Sequence, residues 1–154
     1  MPTLTPRAVF HPRGVDSKTA ARFGWQPVTR IGPSVYIERL SGITIPSPGR
    51  PHVPATLLEQ TRAVAEKLAD ICRRTGLSPD NLRDITIRVR PKADLEALSR
   101  AYRVLYDFFG EKVDEADWRI ERFAGPPNEL IQLDATGCIA EGCVEDELEC
   151  RLAA

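Results

Sequence analysis

The chain has 154 residues, of which 42% are hydrophobic and 28% are charged, and its formal net charge is −1. Length and composition predict one globular domain over residues 1–154. The near-neutral charge argues against a nucleic-acid partner, and no apolar run reaches the ~18 residues that a membrane span needs. The first residues lack the apolar core of a secretory signal, which favours a cytoplasmic protein.

Residues 1–24 are rich in Pro, Gly and Arg, and they predict an irregular arm with one short strand around Ala8 to Phe10. Two runs of β-forming residues follow, at Val28 to Ile31 and at Val35 to Ile45. The Gly-Pro-Ser sequence between them is a turn signal, so we predict a β-hairpin. Four prolines and Gly49 between positions 46 and 54 predict a loop after it.

The clearest local pattern predicts a helix over residues 56–75. Thr56 and Glu59 have the spacing of a capping box, and Gly76 suits the left-handed position that ends a helix. Apolar residues recur at helical spacing along one side. The charged residues on the other side predict a solvated face (Arg62, Glu66, Lys67, Asp70, Arg73 and Arg74).

A strand with period-two alternation follows at Ile85 to Val89 and is stopped by Pro91. Helical periodicity returns over residues 95–109, with Asp94 as the N-terminal cap and Gly110 as the stop. A polar loop then leads to Asp117.

The last two predicted strands carry the candidate site. They cover residues 118–123 and 131–139 and are joined by a Gly-Pro-Pro-Asn turn, which predicts that they are neighbours. Alternation places Arg119 on the first strand and Asp134 on the second, both opposite an apolar row. The two side chains form either a surface ion pair across the strands or part of a binding site.

The complete order, β-β-α-β-α-β-β, predicts an α+β fold with a single sheet and two helices on one face. The other face of the sheet is left open. Oligomerisation is the usual way to cover such a face, so we expect a symmetric homo-oligomer.

Arginine and aspartate suit one particular chemistry. A guanidinium binds a carboxylate through two parallel hydrogen bonds, and a nearby carboxylate can orient a water molecule and move a proton. The carbon of an imine is already electrophilic, so positioning and one proton shuttle suffice for its hydrolysis.

The four cysteines do not form a recognisable metal motif. They contain no C-x-x-C pair and lie far from both histidines (Cys72, Cys138, Cys143 and Cys150; His11 and His52). We therefore expect thiols in a reducing compartment rather than a zinc site.

Several segments together resemble the Rid family, the reactive intermediate deaminases, also called YjgF or L-PSP endoribonuclease-like proteins. They are "SGITIP", the stretch from "EQTRAVAEKLADICRR" to "YRVLYDFFG", and "ELIQLDATGCIA". The resemblance covers about Trp25 to Ala140, between the arm and an acidic C-terminal extension at 141–154. It implies a chorismate-mutase-like fold, a homotrimer, and the hydrolysis of small imines or enamines to a keto acid and ammonia. The sites would lie in clefts between subunits and need no metal or cofactor.

The resemblance also implies roles for individual residues. Arg119 matches the arginine that clamps the substrate carboxylate, and Asp134 matches the acidic residue of the last strand, where glutamate is more usual. Substrate-lining positions correspond to Ser41, Gly42 and an aromatic at Trp25 or Phe23. One departure is Glu121, which stands where a small residue is usual and could repel a carboxylate substrate.

Three function classes remain open from the sequence. The first is a deaminase of carboxylate-bearing imines or enamines. The second is a non-catalytic trimer that binds a small carboxylate or a partner protein, which Glu121 favours. The third is RNA cleavage, against which the near-neutral charge argues. Structural roles are the alternative for single residues, since Trp25 suits a core anchor and Ser41 a strand end.

Overall fold

The computed structural model describes residues 7–12, 15–22, 25–47 and 50–139. Phe23 and the acidic segment 141–154 lie outside the described residues. The strands are β1 (Arg7–Phe10), β2 (Val28–Ile31), β3 (Ser34–Ser41), β4 (Thr44–Ser47), β5 (Arg50–His52), β6 (Leu82–Val89), β7 (Asp117–Ile120) and β8 (Ile131–Cys138). The helices are α1 (Ser17–Arg22), α2 (Leu57–Thr75), α3 (Leu95–Phe109) and α4 (Lys112–Glu115), with a 3₁₀ turn at Pro79–Asn81.

Six strands form one sheet in the order β1-β2-β3-β8-β6-β7. All neighbours are antiparallel except β6 and β7, which are parallel. Helices α2 and α3 pack against each other and share one core with the sheet. The predicted α+β fold, a single main sheet with two main helices on one face, is therefore confirmed. Within the described ranges, no helix has the length and apolar character that crossing a membrane requires.

Three parts of the fold differ from the prediction. The arm predicted to be irregular contains α1 as well as the expected strand. The proline-rich segment is not only a loop, because β4 and β5 pair there as a two-stranded hairpin. Such a small separate hairpin offers strand edges, where proline is tolerated. The polar loop before β7 contains the short helix α4.

The caps of the two main helices are as the sequence predicts. Thr56 Oγ1 accepts a hydrogen bond from the Glu59 backbone N at 3.1 Å, and Gly76 ends α2 with φ at 79°. The Glu59 carboxylate binds the backbone N of Ala55 at 3.2 Å, one residue earlier than in the usual capping box. Asp94 caps α3 through the Ala97 backbone N at 2.7 Å.

The charged side of α2 is less solvated than predicted. Lys67 is only 4% exposed and Asp70 6% exposed, although both were assigned to the solvated face. Asp70 is compensated by Arg73, whose Nη2 lies 2.6 Å from its Oδ1. Lys67 reaches across to the sheet, as described below. Both residues therefore belong to the packed side of the helix.

The cysteines also differ from the expectation of free thiols. Cys72 is a free and buried thiol, and burial raises its pKa to about 11. Cys138, in contrast, is disulfide-bonded. The prediction of thiols therefore holds for Cys72 and is wrong for Cys138.

Strands β7 and β8 are not neighbours, which corrects the predicted hairpin. Strand β6 lies between them, parallel to β7 and antiparallel to β8. Arg119 and Asp134 still lie on one face of the sheet, because inserting a strand does not alter which face each residue takes. They are no longer on adjacent strands, so the expected direct contact between them is absent.

Candidate functional site

The strand registers align a row of polar residues across the helix-free face of the sheet. Ser41 pairs with Gln132, Gln132 with Arg88, and Arg88 with Arg119. A second row lies beside it, in which Asp134 pairs with Thr86 and Thr86 with Asp117. Residues opposite each other in a sheet share a face, so all of these side chains leave the sheet on the open side.

Arg119 lies at the outer edge of this face. Its Nε donates to Asp117 Oδ2 at 2.8 Å, and its side chain is 51% exposed. The hydrogen bond and charge of Asp117 raise the pKa of the guanidinium, and the charges of Glu121 and Asp134 add to the effect. Within the described residues its two terminal nitrogens make no hydrogen bond. Asp117 therefore orients Arg119 and leaves its terminal nitrogens available.

Asp134 is held from two sides by other residues. Its Oδ2 accepts from Arg88 Nη1 at 2.6 Å, and its Oδ1 accepts from the backbone N of Arg39 at 2.6 Å. Arg119 lies two strands away, which is about 10 Å at the usual strand spacing. Of the two alternatives for Arg119 and Asp134, the direct cross-strand ion pair is therefore excluded, and Arg88 is the partner of Asp134.

A cavity of about 700 Å³ opens on this face beside Asp134. Its lining includes the following side chains: Arg39, Arg88, Glu121, Phe123, Gln132 and Asp134. Arg119 is not part of the lining. The cavity has room for a small organic acid, and its lining includes three arginines and four carboxylates (Arg39, Arg88 and Arg122; Glu38, Asp84, Glu121 and Asp134).

The segment after β7 forms one wall of the cavity, and its carbonyl groups are held in place. Arg39 Nη2 and Gln132 Nε2 both donate to the Ala124 carbonyl, at 2.8 and 2.9 Å. Arg90 donates to the carbonyls of Glu129 at 2.5 Å and Pro126 at 3.0 Å, and its guanidinium lies over the Phe123 ring. The wall is therefore preformed.

Ser41 lies inside the protein, not in the cavity lining. It is 3% exposed, and its Oγ donates to Glu129 Oε2 at 2.5 Å and accepts from the Ile43 backbone N at 3.0 Å. Glu129 is fully buried and also accepts from Gln132 Nε2 at 2.5 Å. Ser41 thus connects to the cavity through Glu129 and Gln132.

Trp25 is also buried, at 6% exposure, in a small core with Ala20, Ile43 and Ile45. The Nζ of Lys67 lies 5.5 Å from the centre of its ring and donates to the carbonyls of Ser41 and Ile43. Burial lowers the pKa of Lys67 to about 7, and the charge of Glu129 opposes this shift. In a single copy Trp25 is a core anchor, the structural role that its residue type also suited.

Gly42 marks a close approach between the end of β3 and helix α2. A Cβ atom at this position would lie 2.5 Å from Gln60 Cβ and 2.7 Å from the Gln60 carbonyl. The Gln60 side chain donates to the Pro54 and Asn128 carbonyls and accepts from the Leu130 backbone N. Gly42 therefore lets α2 come close enough for Gln60 to fasten the loop before β8.

The structure brings Asp134 and Glu121 together around Arg88, and Ser41 and Trp25 together around Lys67. Four residues of these clusters are not among the site residues predicted from the sequence: Lys67, Arg88, Glu129 and Gln132. Arg88 carried a usable signal, since it is a polar residue in the alternation of a central strand. Gln132 carried the same signal on β8, whereas Glu129 carried none, because its contacts depend on how the loop before β8 folds back.

Comparison with known proteins agrees with this architecture. No protein-family model and no curated protein matches the sequence. Among solved structures, a member of the YjgF/YER057c/UK114 family from Mycobacterium tuberculosis superposes with a TM-score of 0.62 at 19% identity, covering 86% of this chain and 99% of that one. A Rid-family protein from Yersinia pestis gives a TM-score of 0.64 at 18% identity, covering 86% of this chain and 99% of that one. A YjgF-family protein from Neisseria meningitidis gives 0.61 at 12% identity, covering 90% of this chain and 99% of that one.

The chain therefore has the fold of the YjgF/Rid proteins. The resemblance inferred from short sequence segments is confirmed at the level of the fold.

Proposed function

We propose that this protein is a hydrolytic deaminase of small, carboxylate-bearing imines or enamines, which it converts to a keto acid and ammonia. We propose further that it works as a homotrimer, with sites in the clefts where one copy covers the open sheet face of the next. The fold shared with Rid-family proteins supports this proposal.

The main support for the proposal is that Arg119 is oriented by a neighbouring acid while its terminal nitrogens stay available. Asp117 holds its Nε at 2.8 Å, while its terminal nitrogens are free among the described residues and its side chain is half exposed. A guanidinium that is oriented but not saturated is suited to bind a carboxylate through two parallel hydrogen bonds. Arg119 lies at the sheet edge, so a cleft between copies would enclose it and strengthen that interaction.

Asp134 is the acid in this mechanism. Each carboxylate oxygen accepts one hydrogen bond, from Arg39 or Arg88, and keeps a second lone pair. That lone pair can accept a hydrogen bond from a water molecule placed beside the imine carbon. The water oxygen bonds to that carbon as the C=N double bond opens, and one water proton passes through Asp134 to the nitrogen. The remaining hydroxyl proton then takes the same route as the C–N bond breaks and the C=O bond forms, which releases the keto acid and ammonia.

Ammonia and keto-acid release from enamines generated in situ tests the proposal. We expect Arg119→Ala to raise KM for carboxylate-bearing substrates by roughly tenfold or more, because a charge-assisted contact is lost. Arg100→Ala is the matched control, since Arg100 is an exposed arginine of α3 that pairs only with Glu96 among the described residues. A KM that is unchanged in the Arg119 variant would refute the clamp, and a monomer by light scattering would refute the intersubunit site.

A second candidate function is a non-catalytic trimer that binds a small carboxylate. The specific observation in its favour is that both oxygens of Asp134 already accept a hydrogen bond from the protein, which limits their part in proton transfer. Asp134→Asn separates the two functions. A deaminase loses turnover and retains binding of the keto acid, whereas a binding protein shows no turnover before or after the change.

A further inference from the structure

The structure assigns the carboxylate-binding position to the space between Arg88 and Arg119, and we propose that Glu121 occupies it as an internal substitute until the ligand displaces it. This inference rests on the proposed function as to the kind of ligand, a small organic acid. It adds a second arginine and a competing acid to the site.

Arg88 and Arg119 are direct register partners on the parallel strands β6 and β7. Their backbones are therefore about 4.8 Å apart, and both side chains leave the sheet on the open face. Two guanidinium groups placed side by side form a position for an anion. Arginine is suited to it, because its planar group offers donors on two edges.

Each guanidinium forms an ion pair with a different carboxylate. Asp134 binds Nη1 of Arg88 at 2.6 Å, and Asp117 binds Nε of Arg119 at 2.8 Å. Within the described residues, Nη2 of Arg88 makes no hydrogen bond. The two acids fix the orientation of the arginines and leave some of their donors unused.

Glu121 is the third acid at this position and the most weakly attached. Its Oε1 lies 3.5 Å from Nε of Arg88, beyond a good hydrogen bond, and its side chain is 43% exposed. Its charge also acts on the guanidinium of Arg119. The backbone is fixed because Glu121 N donates to the Val89 carbonyl at 3.0 Å. Only the side chain needs to turn away for a ligand to enter.

The position is open to a ligand from the cavity side. Arg88 and Glu121 both line the cavity of about 700 Å³, whereas Arg39, a further arginine in its wall, is committed to the Ala124 carbonyl. A ligand carboxylate that replaces Glu121 would contact Arg88 from the cavity and Arg119 from the sheet edge. A small acid must therefore displace the Glu121 carboxylate in order to bind, and this competition lowers its affinity.

Calorimetric titration of the full-length protein with pyruvate tests the inference, and pyruvamide, its uncharged analogue, serves as the reference ligand. We expect Glu121→Gln to tighten pyruvate binding about five- to tenfold, since it removes a competing ion and a like charge near the ligand. Pyruvamide binding should not change. Arg88→Lys should weaken pyruvate binding roughly tenfold, because lysine keeps the charge but not the two-edged geometry.

Glu38→Gln is the matched control. Glu38 also borders the cavity and is exposed, but it makes no ion pair within the described part of the chain. Its loss removes the same charge without touching Arg88, so affinity should change less than about twofold. Equal effects of the two glutamate variants, unchanged affinity in Glu121→Gln, or wild-type affinity in Arg88→Lys would each overturn the inference.

The same measurements keep this inference separate from the deaminase proposal. Tighter pyruvate binding in Glu121→Gln without any imine turnover in the wild type supports the anion position and removes the deaminase. Turnover in the wild type with no change in pyruvate affinity keeps the deaminase and overturns the role of Glu121.

Discussion

Burial of Lys67 predicts that the protein becomes more stable as the pH rises from 7 to 9. The side chain is 4% exposed, and its Nζ donates to the Ser41 carbonyl and, at 2.6 Å, to the Ile43 carbonyl. Burial lowers its pKa from 10.5 to about 7. The two carbonyls can be satisfied by the neutral amine, so the folded protein does not need the proton.

The direction of the pH effect on stability depends on whether the folded or the unfolded state binds the proton of Lys67. Between pH 7 and 10.5 the unfolded chain carries a protonated Lys67 and the folded chain a neutral one. The free energy of unfolding therefore rises with pH in this window, by about 2 kcal/mol between pH 7 and 9. Above pH 9 the buried Cys72 acts in the opposite direction, because its raised pKa keeps the folded thiol protonated while the unfolded thiol ionises. The measurement should stay below that point.

Urea unfolding followed by tryptophan fluorescence at fixed protein concentration and ionic strength measures the effect, and Trp25 beside Lys67 reports on the site. Lys67→Met should remove the rise between pH 7 and 9 and also lower stability at every pH, because two buried carbonyls lose their donor. Lys92→Met, the same change at an exposed lysine, should keep the rise. A flat wild-type profile, or an unchanged slope in Lys67→Met, would show that Lys67 is not neutral when folded.

Two further predictions concern the fold that positions the site. Gly42→Ala should cost about 3 kcal/mol in the free energy of unfolding, because the new Cβ would meet the Gln60 backbone and push α2 away from the sheet; a loss below about 1 kcal/mol by urea unfolding would contradict the close approach. Thr56→Ala should cost about 1 kcal/mol through loss of the α2 cap, and lower the melting temperature by about 2–4 °C. Thr56→Ser should restore most of this, and equal melting temperatures for the alanine and serine variants would exclude the capping role.

Local signals were enough to predict the two main helices. The α2 helix has its cap, its apolar stripe and its terminal Gly76 within 21 consecutive residues of the sequence, and α3 has Asp94 in the same role. These features act over one or two turns, so they are visible without knowing the rest of the fold. Lys67 shows the limit of the helical pattern. A long side chain at the edge of the apolar stripe can turn inward when acceptors on another element meet it.

Strand alternation predicted the faces of β7 and β8 correctly, whereas the turn between them predicted incorrectly that they are neighbours. The predicted hairpin of β2 and β3 is confirmed. The period of two assigns Arg119 and Asp134 to one face whatever strand they pair with. The order of strands depends on long-range packing, and β6 inserts between β7 and β8 because the chain returns to the sheet after α3 and α4. The identity of the Asp134 partner changed with that insertion from Arg119 to Arg88.

Two irregularities of the sheet explain why the cavity beside Asp134 was not visible in the sequence. The ladders on both sides of β8 shift register, between Ile37 and Leu40 and between Arg83 and Thr86. Each shift contains a non-glycine residue with positive φ, Arg39 at 54° and Asp84 at 50°.

Left-handed backbone costs an ordinary residue about 1–2 kcal/mol, so it persists only where the surroundings hold it. Here the Arg39 backbone N donates to Asp134 Oδ1 at 2.6 Å, and Thr136 Oγ1 donates to Asp84 Oδ2 at 3.0 Å. Both strained residues line the cavity. Glycine would have marked these positions in the sequence, whereas Arg39 and Asp84 read as ordinary strand residues. The bulges thus place Asp134 where Arg88 can reach it, and the carboxylate to which the proposed reaction assigns the proton transfer also stabilises the distortion of the sheet around it.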